Sequence, residues 1–88
     1  MRTIEGIICH VAYCTGIAES DILGKSRIQA VVDARRLAIF LARKEGFSSL
    51  EIQATFDITR AGVWHHIEKH AELVKYNSAY RELFDKIK

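Results

Sequence analysis

The sequence predicts an all-α fold, a small helical bundle that contains a helix-turn-helix. Apolar residues recur at the three- to four-residue spacing of a helix face, and no segment sustains the alternation of a half-buried strand. The chain contains no proline, the residue that most often interrupts helices, while serine, threonine, asparagine and glycine stand where helix caps are needed. Its 88 residues suffice for one core, so residues 1–88 are expected to form a single domain.

Glycines divide the N-terminal half into helical segments. The first helix is expected over about residues 2–14, ending before Gly16, and a short turn or helix follows, up to Gly24. The longest periodic stretch spans residues 28–44 and ends at Gly46. Its apolar stripe is expected to consist of Ile28, Val31, Val32, Ala34, Leu37, Ala38 and Leu41. Four basic residues are expected largely off this stripe: Arg35, Arg36, Arg43 and Lys44.

Three further helices are expected in the C-terminal half, the last over about residues 78–88. The expected N-caps are Ser48 or Ser49, Thr59, and Asn77 or Ser78. Glu51 is placed to complete a capping box with Ser48. The apolar residues expected to pack are Leu50, Ile52 and Phe56 in the first helix, Val63, Ile67, Ala71 and Val74 in the second, and Tyr80, Leu83, Phe84 and Ile87 in the last.

The segment from about residue 49 to residue 74 has the spacing of a helix-turn-helix. Two helices that meet at a steep angle need apolar residues at fixed positions on both sides of a three- or four-residue turn. Those positions hold Ile52, Phe56, Ile58, Val63 and Ile67. Two positions depart from the usual pattern, since Gln53 replaces a small residue and Asp57 replaces glycine. The alternative is an ordinary helical hairpin in a small bundle.

The second helix of a DNA-binding helix-turn-helix lies in the major groove, where its N-terminal residues face base edges. Here those residues are Thr59, Arg60, Ala61, Trp64 and His65. Arg60 can donate two hydrogen bonds to guanine O6 and N7, and Thr59 can bond a base or a phosphate. Trp64 faces either the groove or the packing between the helices, or it anchors a partner.

The basic residues are concentrated in the middle of the chain. Residues 25–44 carry Lys25, Arg27, Arg35, Arg36, Arg43 and Lys44 against Asp33 alone, a balance of +5, whereas the flanking segments balance at −2 and −1. Such a distribution is typical of a protein with a polyanionic partner, here double-stranded DNA. The alternative is a solvated helix face.

Other classes of function find less support in the sequence. His66 and His70 have a spacing that can hold zinc, but the glutamate that follows the first histidine of a zinc motif is missing, and a solvated or core-edge histidine pair is the favoured interpretation. Cys9 and Cys14 are five residues apart, which disfavours an intrachain disulfide, so both are expected to be buried or half-buried thiols.

We therefore expect no enzyme, no catalytic, cofactor or metal site, and no small-molecule substrate. No apolar run approaches the length of a membrane span, and the N-terminus makes a poor signal peptide, so a cytoplasmic, nucleoid-associated protein is expected. The remaining alternative to DNA binding is a non-enzymatic helical protein-interaction module. A protein partner and a homodimer both stay open.

Three segments add a family resemblance. They are Asp21–Arg27 with the sequence Asp-Ile-Leu-Gly-Lys-Ser-Arg, Ala34–Arg43 beginning Ala-Arg-Arg-Leu-Ala, and Ser49–Phe56. Together they resemble the C-terminal DNA-binding domain of the bacterial replication initiator DnaA family, over roughly residues 4–88. The resemblance implies a helical bundle of the Trp-repressor or DnaA C-terminal type that recognises a short asymmetric duplex site.

The resemblance also implies roles for individual residues. It places Arg27 in the minor groove, and Arg35, His65 and Lys69 on backbone phosphates. Lys25 and Arg36 of the basic segment and Ser49 at the start of the helix-turn-helix complete the predicted DNA contacts. The expected function is sequence-specific binding of duplex DNA in replication initiation or its regulation, or in transcription regulation, in a bacterium, phage or mobile element.

The chain departs from the family where bases would be read. The family signature Gly-Gly-Arg-Asp-His-Thr-Thr-Val is replaced by Asp57–Val63, which is one residue shorter, and the glycine after Ile52 is replaced by Gln53. We therefore expect the family's backbone-docking frame with a changed base reader. The initiator's ATPase motif, Gly-x-x-x-x-Gly-Lys-Ser/Thr, does not occur in these 88 residues.

Overall fold

Six α-helices and short connections make up residues 3–88, the part of the chain that the computed structural model describes. The helices are α1 (Ile4–Thr15), α2 (Glu19–Ile22), α3 (Gln29–Lys44), α4 (Ser49–Phe56), α5 (Arg60–Tyr76) and α6 (Ser78–Ile87). No residue between 3 and 88 lies in a β-strand. The predicted all-α class is confirmed, with element bounds within about two residues of those expected.

Four of the helices among residues 3–88 start at a residue whose side chain caps them. Oxygens of Thr3, Ser48, Thr59 and Asn77 each accept a hydrogen bond from the main-chain N–H three residues later. These contacts confirm the predicted caps at Ser48, Thr59 and Asn77. The expected capping box takes a different form, because the Ser48 hydroxyl donates to Glu51 Oε1 at 3.3 Å and the helix keeps only one side-chain cap.

The helix α3 lies at the centre of the bundle and contacts α1, α2, α4 and α5. A helix surrounded on so many sides needs a wide apolar face, and α3 supplies it with Ala34, Leu37, Ala38, Ile39, Leu41 and Ala42. The core is completed by Ile7, Ile8 and Val11 from α1, Ile22, Ile52, Phe56 and Val63, and by Tyr80, Phe84 and Ile87 from α6.

Several expected placements were wrong. Arg35 and Arg36 are buried in the bundle although they were expected largely off the apolar stripe, whereas Ile28 is exposed because it is the N-cap of α3. On α5, Ala71 is exposed and the neighbouring His70 takes the inward position. Cys9 is an exposed free thiol, whereas Cys14 is half-buried as expected. No helix among residues 3–88 is long and apolar enough to cross a membrane.

Candidate nucleic-acid interface

The helices α4 and α5 form the predicted helix-turn-helix around a left-handed residue. Asp57 has φ 52° and ψ 53°, and its N–H donates to Gln53 O, which ends α4. Aspartate adopts this conformation at lower cost than most side chains, so the glycine of the usual pattern is dispensable here. Thr59 then starts α5 by accepting from Gly62 N at 3.0 Å.

The long side chain of Gln53 fits this motif because it runs along its own helix. Its Nε2 donates to Ser49 Oγ at 3.0 Å, one turn earlier on α4. The small residue usual at this position keeps two helices from clashing, and Gln53 avoids the clash by lying beside Ser49. The interior of the motif is filled by Ile52, Phe56 and Val63, all nearly inaccessible to solvent.

The N-terminal end of α5 is open to solvent. Thr59, Arg60, Ala61 and His65 are exposed, and Trp64 is 43% exposed. Of the alternatives for Trp64, full burial between the helices is therefore excluded. The five residues predicted to face base edges thus share one accessible end of one helix, as a helix that enters the major groove requires.

A cavity of about 360 Å³ adjoins this end of α5. It is lined by Arg43, Ser49, Leu50, Gln53, Arg60 and Trp64. Three predicted site residues, Ser49, Arg60 and Trp64, therefore come together here, from the N-terminal parts of two helices. The lining combines two guanidinium groups, two neutral polar groups and two apolar side chains.

Three residues of this cavity were not among the predicted site residues: Arg43, Leu50 and Gln53, the last of which was singled out only as a departure from the usual pattern. Arg43 was counted among the basic residues without a site role, and Leu50 was expected to pack with Ile52 but is 75% exposed. For Arg43 a signal exists, since the last turn of α3 directly precedes the connection to Ser49. For Leu50 the signal is its place in the first turn of α4, before the helix meets its neighbours.

Arg35 is hydrogen-bonded to the connection between α2 and α3, residues 23–28, which carries Lys25 and Arg27 and is called the basic loop below. Its Nε donates to Ile22 O at 2.8 Å, and its Nη1 and Nη2 donate to Ser26 O and Asp21 O, both at 3.0 Å. The side chain is 8% exposed, and burial lowers the pKa of its guanidinium from the ordinary value. Its three donors bridge α3 to the segment before Arg27, so this arginine is part of the fold's internal framework.

Arg27 and Lys25 lie on the loop that Arg35 holds. Arg27 is exposed, two residues before α3 begins. Lys25 Nζ donates to Asp57 O at 2.5 Å and lies 3.7 Å from Asp57 Oδ2. The loop predicted to enter the minor groove therefore touches the turn of the helix-turn-helix.

Arg36 is a buried residue of α3. Its Nη1 lies 3.6 Å from Asp33 Oδ1, and its positive charge acts on the histidines of α5. Burial and this charge lower the pKa values of His66 and His70 to about 4, so both rings are neutral near pH 7. The expectation that Arg36 contacts DNA does not fit this burial.

His70 is a core histidine. Its ring stacks on Phe40 with centroids 3.8 Å apart, and a 2.7 Å hydrogen bond joins its Nδ1 to the Tyr80 hydroxyl. The histidine pair was expected to be either solvated or at the edge of the core, and His70 fits the second of these interpretations. Among residues 3–88 no three metal-ligating side chains cluster.

Lys69 lies further along α5, where it is half-buried. Its Nζ is 3.3 Å from Glu72 Oε1. The structure thus brings Ser49, Arg60 and Trp64 together, places Lys25 and Arg27 on an adjoining loop, and leaves Lys69 paired with an acidic neighbour.

Comparisons with known proteins agree with this architecture. The family described as "Bacterial dnaA protein helix-turn-helix" matches residues 4–69. The chromosomal replication initiator protein DnaA of Campylobacter curvus is 35% identical over 79 residues, covering 88% of this chain and 18% of that protein. DnaA of Campylobacter fetus is 32% identical and DnaA of Nautilia profundicola 35% identical, each over 88 residues, 98% of this chain and 20% of the relative. The chain thus spans about a fifth of the length of these curated relatives.

Proposed function

Because the chain belongs to the bacterial DnaA helix-turn-helix family, we propose that it binds duplex DNA sequence-specifically in replication initiation or its regulation. The observation that carries this proposal is the open N-terminal end of α5, where Arg60 and Trp64 line one cavity with Arg43 and Ser49. The exposed donors at a helix N-terminus and the nearby guanidinium groups can bind the phosphates of DNA, and such a helix end can enter the major groove to reach base edges.

In this proposal Arg60 reads the bases, and two neighbouring apolar side chains add contacts. Arg60 is exposed at the first position of α5, and its planar group matches the two acceptors of guanine. Leu50 and Trp64 border the same cavity and are apolar and accessible, which suits contact with a thymine methyl group. Thr59, Ala61 and His65 remain predicted contacts on the same helix end.

Arg27 supplies the minor-groove contact in this proposal. Its side chain is exposed, and its loop is held by the three hydrogen bonds that Arg35 donates. We propose that Arg35 acts on DNA binding through this support, rather than by touching a phosphate itself. A guanidinium fixed by three carbonyls would have to leave the fold to reach DNA.

The phosphate contacts are proposed for side chains that flank the reader. Arg43 is exposed at the C-terminal end of α3 and lines the same cavity as Ser49. Its charge replaces the contribution first assigned to Arg35. His65 and Lys69 stay predicted phosphate contacts, with Lys69 required to leave Glu72 when DNA binds.

The relatives favour one biological setting. All the similar proteins named above are replication initiators, which supports a role in replication initiation over transcription regulation and over a phage or mobile-element origin. The proposed activity is binding alone, without catalysis.

Selection from a random duplex pool tests the proposal. The chain should enrich a defined sequence, and its affinity should fall steeply with salt. Arg60→Ala should cost about 1–3 kcal/mol on the enriched duplex and relax preference at one base pair. Arg60→Lys should keep non-specific affinity but lose that preference, because lysine lacks the bidentate geometry.

Arg81→Ala is the matched control, since Arg81 is an exposed arginine on α6. It should leave both affinity and preference unchanged. Absence of any enriched sequence together with a flat salt dependence would overturn the proposal in favour of a protein-interaction module.

A further inference from the structure

The basic loop and the turn of the helix-turn-helix are joined through Lys25. Its ammonium donates to the main-chain oxygen of Asp57 at 2.5 Å and lies 3.7 Å from the Asp57 carboxylate. We propose that Lys25 is a positioning residue. Its contact with Asp57, called the clasp below, holds the basic loop against the turn. Arg27 and the recognition helix α5 thereby keep one spacing across two grooves of DNA. This inference rests on the proposed function above.

Both sides of the clasp are anchored. On the loop side, Arg35 holds the carbonyls of Ile22 and Ser26, which stand on either side of Lys25. On the turn side, Asp57 is fixed in the left-handed conformation by its N–H bond to Gln53 O. The contact between Lys25 and Asp57 therefore joins two segments that each have an anchor of their own, and it restrains the distance between them.

The residues proposed to touch DNA follow directly from these anchors. Arg27 comes two residues after Lys25, and Arg60 comes three residues after Asp57. Because these stretches are so short, we expect a shift of the contact between Lys25 and Asp57 to move both arginines. The chain then favours a duplex in which the segment that Arg27 contacts and the segment that α5 contacts are separated by one particular distance.

The surroundings of Lys25 argue against a direct phosphate contact. Its nitrogen already bonds a carbonyl, and the neighbouring carboxylate of Asp57 is exposed and repels phosphates. A phosphate could take this ammonium only by displacing the carbonyl and leaving Asp57 uncompensated. Lys25 should therefore contribute to specificity without adding to the number of ions released on binding.

The test compares two duplexes. The first is the sequence that the unmodified chain enriches from a random pool. In the second duplex, the base pairs that Arg27 reads are replaced by others. These base pairs are found by a separate comparison: their replacement weakens binding by the unmodified chain but does not weaken binding by the Arg27→Ala variant. Lys25→Met should bind the first duplex about three- to tenfold more weakly, the usual effect of one hydrogen bond. It should bind the second duplex as well as the unmodified chain does, with an unchanged salt slope.

Further variants separate positioning from charge. Lys25→Arg should restore discrimination, because arginine can donate to the same carbonyl. Asp57→Asn should keep most of it, because the main-chain acceptor remains and asparagine tolerates the left-handed conformation. Lys44→Met, which removes an exposed lysine at the end of α3, is the matched control and should leave discrimination unchanged. In the free chain, Lys25→Met should speed amide exchange at Ile58, whose N–H donates to Gln53 O in the turn that Lys25 contacts.

The outcomes are distinguishable. Equal weakening of both duplexes, with the salt slope reduced by about one, would make Lys25 a phosphate contact and overturn the clasp. Unchanged discrimination and unchanged amide exchange in Lys25→Met would overturn it as well. Failure of the unmodified chain to enrich any sequence would overturn the proposed function itself, and with it the role of Lys25 in spacing.

Discussion

Arg35 and Arg43 are arginines of the same helix in opposite environments. Arg35 is buried and donates to three carbonyls, whereas Arg43 is exposed at the rim of the cavity beside α5. Eight residues separate them along α3, about two and a quarter turns, so their side chains start roughly 80° apart around the helix. Their different fates follow from what lies opposite, which is the loop before α3 in one case and solvent in the other.

These environments predict opposite effects of alanine. Arg35→Ala should lower the free energy of unfolding by about 2–4 kcal/mol, because it removes three hydrogen bonds, the one to Ile22 O in a buried setting, together with the packing of a buried side chain. Arg43→Ala should change stability by less than about 0.5 kcal/mol but reduce the salt slope of DNA binding by about one. Urea unfolding and salt titrations on both variants check this. Equal stability of the two variants would contradict the framework role of Arg35.

At the scale of the element, the start of α5 depends on Thr59. Its hydroxyl accepts from Gly62 N at 3.0 Å, and this is the side-chain cap from which the helix begins. Thr59→Ala should therefore cost about 1 kcal/mol of stability, while Thr59→Ser should cost little, because serine caps equally well.

Thr55 offers a control for this prediction. Its hydroxyl donates to Glu51 O within α4, where the carbonyl already accepts a helical bond. Thr55→Ala should leave the midpoint of urea unfolding nearly unchanged. A loss as large as that of Thr59→Ala would show that removal of any hydroxyl in this motif is costly, and the cap would not be special.

Elements of this chain were predictable where their causes are local. The caps at Ser48, Thr59 and Asn77 depend on residues three positions away, and the sequence displays both partners. The buried Arg35 was not predictable, because its acceptors lie 9 to 14 residues earlier, and their approach depends on the packing of α2 on α3. Helical periodicity predicts that a charged side chain such as arginine faces solvent. Arg35 is buried instead, because three main-chain carbonyls accept hydrogen bonds from its guanidinium.

The candidate site divides in the same way. The order of residues from Thr59 to His65 predicted one exposed helix end, because helical periodicity places these side chains relative to each other. Arg43 and Leu50 were missed, because their proximity to Arg60 arises from the crossing of three helices. A periodic pattern shows which face of a helix is apolar, but not which neighbouring helix leaves part of that face uncovered.

At the scale of the whole molecule, the packing of α5 on α3 makes stability depend on acid. His66 and His70 have folded-state pKa values of about 4, below the ordinary 6.5, because of burial and the charge of Arg36. The unfolded chain therefore binds more protons than the folded chain between these values. The stabilisation is fully present above pH 6.5 and is lost as the pH falls toward 4.

Urea unfolding between pH 7 and pH 5 measures this loss. We expect the free energy of unfolding to fall by about 2 kcal/mol, after discounting for the partial exposure of His66. His66→Asn should remove about half of the dependence, because His70 keeps its own contribution. Ala71→Asn, which places the same side chain at an exposed position of the same helix, should leave the dependence unchanged. A stability that does not vary over this range would contradict the neutral, buried state of the two rings.

Trp64 also makes the interface optically visible. It is the chain's one tryptophan, and in the free protein it is already 43% exposed at the cavity beside Arg60. Unfolding changes the surroundings of such an indole only partly, whereas a duplex seated on α5 would remove it from water and place it near bases that quench its emission. The tryptophan fluorescence of the unlabelled chain should therefore change more when duplex DNA binds than when the chain unfolds. DNA binding can then be measured by titration without an attached dye.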